Sequence, residues 1–127
     1  MSFTNLHETS VLTWSLTTGS VTRPTAWYVA LFTSDPTDTG SAGTEVSGGS
    51  YTRTAATFSV SGDTATNTAG IEFPAATASW GAISHIGIMD ASSGGNMLVH
   101  AALSTAKTIA DGDVFRIPTG DLDITLD

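Results

Sequence analysis

Serine and threonine hydroxyls are the most plentiful reactive groups in this sequence, and that abundance deprives any single one of meaning. A nucleophilic hydroxyl needs a histidine base oriented by a carboxylate, and the chain offers three histidines, His7, His85 and His100. No G-x-S-x-G segment sets a serine on the strained strand-to-helix bend that such a nucleophile uses. The nearest approaches, Gly49-Ser50-Tyr51 and Ser93-Gly94-Gly95, read as turns. His85 and His100 sit on two apolar runs, Trp80 to Met89 and Met97 to Leu103, that flank Ala91-Ser92-Ser93-Gly94-Gly95 and read as a β-hairpin. Pairing Asp90 with Asn96 sets Met89 opposite Met97, Ile88 opposite Leu98, Gly87 opposite Val99, Ile86 opposite His100 and Ile83 opposite Leu103. In that register the two histidines point to opposite faces and cannot share a metal. His7 beside Glu8 reads as a polar helix face.

The remaining candidates are acids and aromatic rings. Asp111-Gly112-Asp113 and Asp121-Leu122-Asp123 have spacings that calcium loops use, but the full D-x-[DN]-x-[DN]-G frame with its later Glu is absent, so both read as turn and strand-face acids. Among the rings Trp14, Trp27, Tyr28, Tyr51 and Trp80, sugar stacking is chemically open to each. Trp27 and Tyr28 fit strand packing better. Trp80, which follows an Ala/Thr/Ser stretch and precedes Gly81, is the candidate glycan contact. No catalytic residue, cofactor or metal ligand emerges from this survey.

The elements that carry these residues are expected to be β-strands. Charged residues make up 13% of the 127 positions, about half the usual share, and Thr, Ser, Ala and Gly dominate. Twelve acids against four Lys plus Arg give a net charge of -8, which repels phosphate and disfavours direct nucleic-acid binding. Cysteine is absent, so packing or assembly must supply stability. No apolar run approaches the roughly 18 residues of a membrane span, and MSFTNLHETS lacks the basic and apolar regions of a signal peptide. The expectation is a single domain over 1–127, made in the cytoplasm and without a membrane partner.

Along the chain, Thr4 to Thr18 holds no proline or glycine, Leu12 and Leu16 stand at i, i+4, and Gly19 is placed to end a helix. Residues 1–18 therefore form a short N-terminal helix, or an extended arm. Trp27 to Phe32 is a strand with two apolar faces. Ser34 to Ser50 is seventeen residues of turn chemistry, longer than ordinary connections and of a length that often makes contacts. Tyr51 to Ser61, Thr64 to Asn67, Ile71 to Phe73, Lys107 to Ala110 and Val114 to Ile117 are further strand candidates. In the last run Leu122, Ile124 and Leu126 alternate with Asp121, Asp123, Thr125 and Asp127. About eight strands spaced by turns predict an all-β antiparallel sandwich, jelly-roll-like, without shaft repeats.

Three blocks, AWYVALFTSDPTDTGSAGTEVSGGSYTR, NTAGIEFPAATASWGAISHIGIMDASSGGNMLVHAAL and DGDVFRIPTGDLDITL, resemble small structural proteins of tailed bacteriophages, commonly labelled tail-fibre-like. Similar β-sandwich proteins also serve as capsid cement or decoration, often as trimers. The resemblance implies no catalytic residue. It implies a non-enzymatic virion protein on the outer surface of the particle, and the first expectation is a capsid cement subunit bound to the major capsid protein or other virion proteins, as a homotrimer. The alternative is a tail or tail-fibre component that recognises a host-surface glycan through Trp80. Candidate interface residues are Leu12, Trp14 and Leu16 in the N-terminal segment and Asp35, Asp38 and Glu45 in the long loop.

Overall fold

A computed structural model describes residues 1–126; Asp127, the last acid of the C-terminal alternation, lies outside them. The expected helix forms over α1 (Asn5–Leu16), preceded by a strand, β1 (Ser2–Phe3), that the sequence did not suggest. Thr4 joins the two. Its backbone is extended (φ -73°, ψ 158°), and its hydroxyl accepts from the His7 amide, which caps the helix. The same hydroxyl donates to the Met97 carbonyl at 2.6 Å, so the cap is also a bolt to the sheet. At the far end the helix stops at Leu16, before Gly19 can act. There the Thr17 hydroxyl donates to the Thr13 carbonyl and accepts from the Gly19 amide, meeting end groups that a glycine cap would otherwise meet.

The main sheet has five antiparallel strands in the order β1-β8-β7-β2-β3, with β2 (Trp27–Phe32), β3 (Thr54–Ala56), β7 (Gly81–Met89) and β8 (Met97–Ile109). Its centre is the β7-β8 hairpin. The Asp90 amide donates to the Asn96 carbonyl, and the Asp90 carboxylate accepts from both the backbone and the side chain of Asn96. Gly95 has φ 71°, and a Cβ there would lie 2.5 Å from Asp90 Oδ1, so the turn needs glycine at that position.

Met89 pairs with Met97 as expected, but from there the register departs from the simple count. Ile88 pairs with Val99, Gly87 with His100 and Ile86 with Ala101, while Ile83 pairs with Lys107 rather than Leu103. One extra residue, Leu98, is accommodated as a bulge, and a second irregularity lies between Ile83 and His85. Both Met97 and Leu98 are buried, in separate apolar clusters, so the bulge lets successive residues fill two layers.

Around this sheet stand two smaller antiparallel sheets. One has the order β10-β5-β4, from β4 (Phe58–Ser61), β5 (Thr64–Asn67) and β10 (Asp123–Thr125); the other pairs β6 (Ile71–Glu72) with β9 (Arg116–Ile117). Ten strands are thus present among the described residues, where about eight were expected, because β1 is additional and the Tyr51 to Ser61 run divides at Thr57. The principal core joins Val29, Leu31, Ile83, Ile86 and Ile88 of the large sheet to Ile71, Phe73, Phe115 and Leu122 of the smaller ones. Along the last strand Leu122 is buried, but Leu126 is 53% exposed, since the run leaves the core after Ile124. Asn67 is buried within this layer. Its amide nitrogen donates to the Ala69 and Pro118 carbonyls, and its Oδ1 accepts from the Gly120 and Leu122 amides, so a polar side chain closes two turns at once.

Ile88 sits at the centre of the core and is 2% exposed. Replacing it by Asp removes roughly 1.5–3 kcal/mol of apolar burial and leaves a carboxylate without a partner. Against a total stability of about 5–15 kcal/mol, Ile88→Asp is expected to abolish cooperative folding, as followed by near-ultraviolet circular dichroism and soluble yield; a variant melting at the wild-type temperature would contradict this placement.

Candidate functional site

Helix α1 buries none of its twelve residues. Leu6, Leu12, Trp14 and Leu16 are 48%, 57%, 70% and 76% exposed, and Trp14 is the one mostly exposed aromatic ring among the described residues. A helix carrying Thr9 and Thr13 has weak intrinsic propensity, and one of this length is marginal in water without tertiary contacts. Its anchors lie at one end, in the Thr4 bonds and in a bond from the Asn5 amide to the Asp38 carbonyl. The three interface candidates in this segment are therefore together on one element and open to solvent. Leu12 and Leu16 share one side of the helix, and Trp14 lies on the side that lines a cleft with Val21, Pro24 and Leu98, so large apolar side chains stand open on both sides, as they do at contact surfaces.

The long loop behaves differently. Far from being without anchors, it folds back on its own sheet: Pro36 is fully buried and Val46 is 6% exposed within the principal core. The Thr33 amide donates to the Thr44 carbonyl and the Val46 amide to the Leu31 carbonyl, so residues 44–46 extend the sheet beside β2. Asp35 accepts from the Thr37 amide at 2.8 Å, and Asp38 lies 2.9 Å from His100 Nε2. Glu45 is more deeply committed. Arg53 grips it with two parallel bonds of 2.8 Å from Nε and Nη2, while the Tyr51 hydroxyl donates to Oε2 at 2.7 Å and accepts from the Leu31 amide. The remaining Arg53 nitrogen, Nη1, donates to the Ala91 and Gly94 carbonyls at the hairpin tip. Burial alone raises the Glu45 carboxyl, but the bonds from Arg53 and Tyr51 and the Arg53 charge outweigh it and hold the group below its ordinary value. Burial also drives the Tyr51 phenol well above its usual range. Of the six candidate interface residues, Glu45 alone is drawn into an internal network, while Asp35 and Asp38, with side chains 57% and 59% exposed, lie at the surface as Leu12, Trp14 and Leu16 do.

Two further expectations change. Trp80 is 5% exposed; it packs edge-on against Tyr51 and Phe73, and its indole N–H donates to the Gly49 carbonyl at 2.9 Å. Its ring is enclosed and presents no platform to a sugar. The bulge at Leu98 brings His85 and His100 to the same side, where both line one shallow pocket with Asp35. Even so, among the described residues no three His, Asp or Glu side chains are arranged to hold a metal ion. The turn acid Asp113 is taken up by the Ala110 amide.

Residues 2–125 match the family model described as Podophage GP4 fiber I protein gp80. The chain belongs to this family. It is a phage structural protein of fibre type, and its β-rich architecture with an outward apolar helix accords with an assembling part. No curated protein matches the chain. Among the described residues, no helix is long and apolar enough to cross a membrane.

Sequence reasoning missed Arg53, although one signal was present: it is one of only four basic residues against twelve acids, placed just after the long loop that contains Glu45. Because the Glu45 carboxyl is held below its unfolded value, its stabilising effect is full above the ordinary carboxylate range and is lost as pH falls through the lowered folded value. The melting temperature of the wild type is expected to fall in acid. Glu45→Gln should cost about 2 kcal/mol at neutral pH and show a flatter acid profile in calorimetry; a profile parallel to wild type would refute the assignment.

Replacing Thr37 to Ser47 by a short Gly/Ser linker removes Val46 and Glu45 together. Closure entropy changes by only ~0.6 kcal/mol per doubling of loop length, so a merely connecting loop would be shortened at little cost. The packing of this loop predicts instead a marked fall in melting temperature of the free protein, and an unchanged value would show that the loop does not support the sheet.

Proposed function

We propose that this chain is a non-enzymatic structural subunit of a phage tail fibre, placed on the outside of the virion and acting by burying surface against copies of itself and other virion proteins. The observation that carries this reading is the exposed apolar trio Leu12, Trp14 and Leu16 on a helix with no buried residue, in a chain of a phage fibre family. Leaving such side chains in water forgoes roughly 1.5–3 kcal/mol each, and a contact across a subunit boundary recovers it. A homotrimer suits the role, since closed symmetry reuses one patch on every copy.

Capsid cement, the first expectation from the sequence, needs the same surface chemistry. The fibre description of the family supports the tail instead. Glycan recognition loses its motivating residue with the enclosure of Trp80, so the contribution assigned to this chain is assembly rather than sugar reading.

Cryo-electron microscopy of intact particles carrying the chain with a bulky tag tests the assignment. Extra density confined to the tail vertex is expected; density spread over the icosahedral faces would overturn it in favour of cement.

A further inference from the structure

Helix α1 is apolar on two opposite sides. Toward the body of the protein, Leu6, Val11 and Trp14 form one wall of a cleft of about 400 Å³, with Val21 and Pro24 of the segment returning to β2 on the other wall and Leu98 at the floor. At helical spacing, Glu8, Leu12 and Leu16 follow one another at i, i+4 and i+8 and make a ridge on the reverse side. All three are exposed. A helix with apolar side chains on two sides has a second stripe left to bury once the first faces its own chain.

From this arrangement we infer that the Glu8-Leu12-Leu16 ridge of one copy docks into the α1 cleft of a second copy, in a head-to-tail contact that closes into a ring. The cleft and the ridge lie on opposite sides of the same helix, so no chain can fill its own cleft with its own ridge. Charge selects the same partner. Arg23 is the one Lys or Arg lining the cleft, and Glu8 is the only Asp, Glu, Lys or Arg in the helix. Neither takes part in an ion pair among the described residues, and seating Leu12 in the cleft brings Glu8 toward Arg23. The other acid at the cleft, Asp90, is already satisfied by both nitrogens of Asn96. With a net charge of -8, two copies repel at most other surfaces, and a helix with one acid facing an arginine is a place where they need not. A ridge meeting a cleft is heterologous, and such contacts make rings when the rotation closes.

The inference deepens the assembly reading above and rests on it for its biological setting, but its test uses the purified full-length chain alone. Leu12→Asp with Leu16→Asp spoils the ridge and spares the cleft, while Leu6→Asp with Trp14→Asp spoils the cleft and spares the ridge. These side chains are all exposed, and melting temperatures check that each variant folds. By sedimentation velocity over a micromolar-to-millimolar series, the wild type should form a closed oligomer and each double variant should be monomeric. An equimolar mixture of the two should give one-to-one dimers and nothing larger, since one intact ridge and one intact cleft remain.

Glu8→Arg and Arg23→Glu, both at exposed positions, provide a second measurement that does not depend on the apolar variants folding. Each alone should weaken association about tenfold, and the two combined in one chain should restore it. A wild type that stays monomeric throughout overturns the inference and leaves the cleft to another virion protein. Self-association of either double variant, or a mixture that stays monomeric, overturns the head-to-tail contact. Failure here leaves the fibre assignment to the particle images, and failure there leaves self-association standing.

Discussion

The guanidinium of Arg53 ties the long loop beside it to the tip of the central hairpin, which is remote in sequence. With two nitrogens it binds the carboxylate at the end of the long loop, and with the third it binds two carbonyls at the tip of the central hairpin. Its side chain is 9% exposed, and the pairing is bidentate, so the bonds are strong and directional where water is scarce. Tyr51 extends the network to the β2 backbone through the Leu31 amide. In a chain with few charges, one arginine fixes where the loop ends, how the hairpin tip is held and how β2 meets both.

Once that anchor is set, the large sheet is covered on both sides by its own chain. One face meets the smaller sheets in the principal core; the other carries Ala30, Phe32, Met89 and Met97, over which the loop returns. Gly40 shows how close that return is, with φ 70° and a hypothetical Cβ only 3.0 Å from Met97. The loop is thereby consumed as cover, and helix α1 is the element left without any. Its exposure follows from topology, since Thr4 bolts only the first turn to β8 and the later turns stand over an open cleft with Val21, Pro24 and Leu98.

The scarcity of charged groups and the exposed apolar side chains of the helix belong to one composition. Hydroxyl-rich, weakly charged segments lose little side-chain entropy when packed, and they supply neither paired carboxylates nor metal ligands. Such a composition suits the chain to contacts with neighbours, in keeping with its fibre-type family.

Local pattern alone was enough to place α1, β2, β5, the central hairpin and its Asp90–Asn96 closure, because each depends on periodicity or turn chemistry within a few residues. It also disclosed the mostly β class. Register and burial were not legible. The bulge at Leu98 arises because Met97 and Leu98 must enter different layers, and no local signal announces that. Trp80 looked exposed beside Gly81, yet Tyr51, Phe73 and the Gly49 carbonyl enclose it from elsewhere in the chain. Val46 and Glu45 looked like loop, and Arg53 went unnoticed, since a residue's role there depends on which distant strand it meets. The sequence by itself determined the kind of elements, because that depends on residue type and spacing. Only the tertiary structure decided which faces were covered and that α1 was not, because burial is a relation between segments far apart in the chain.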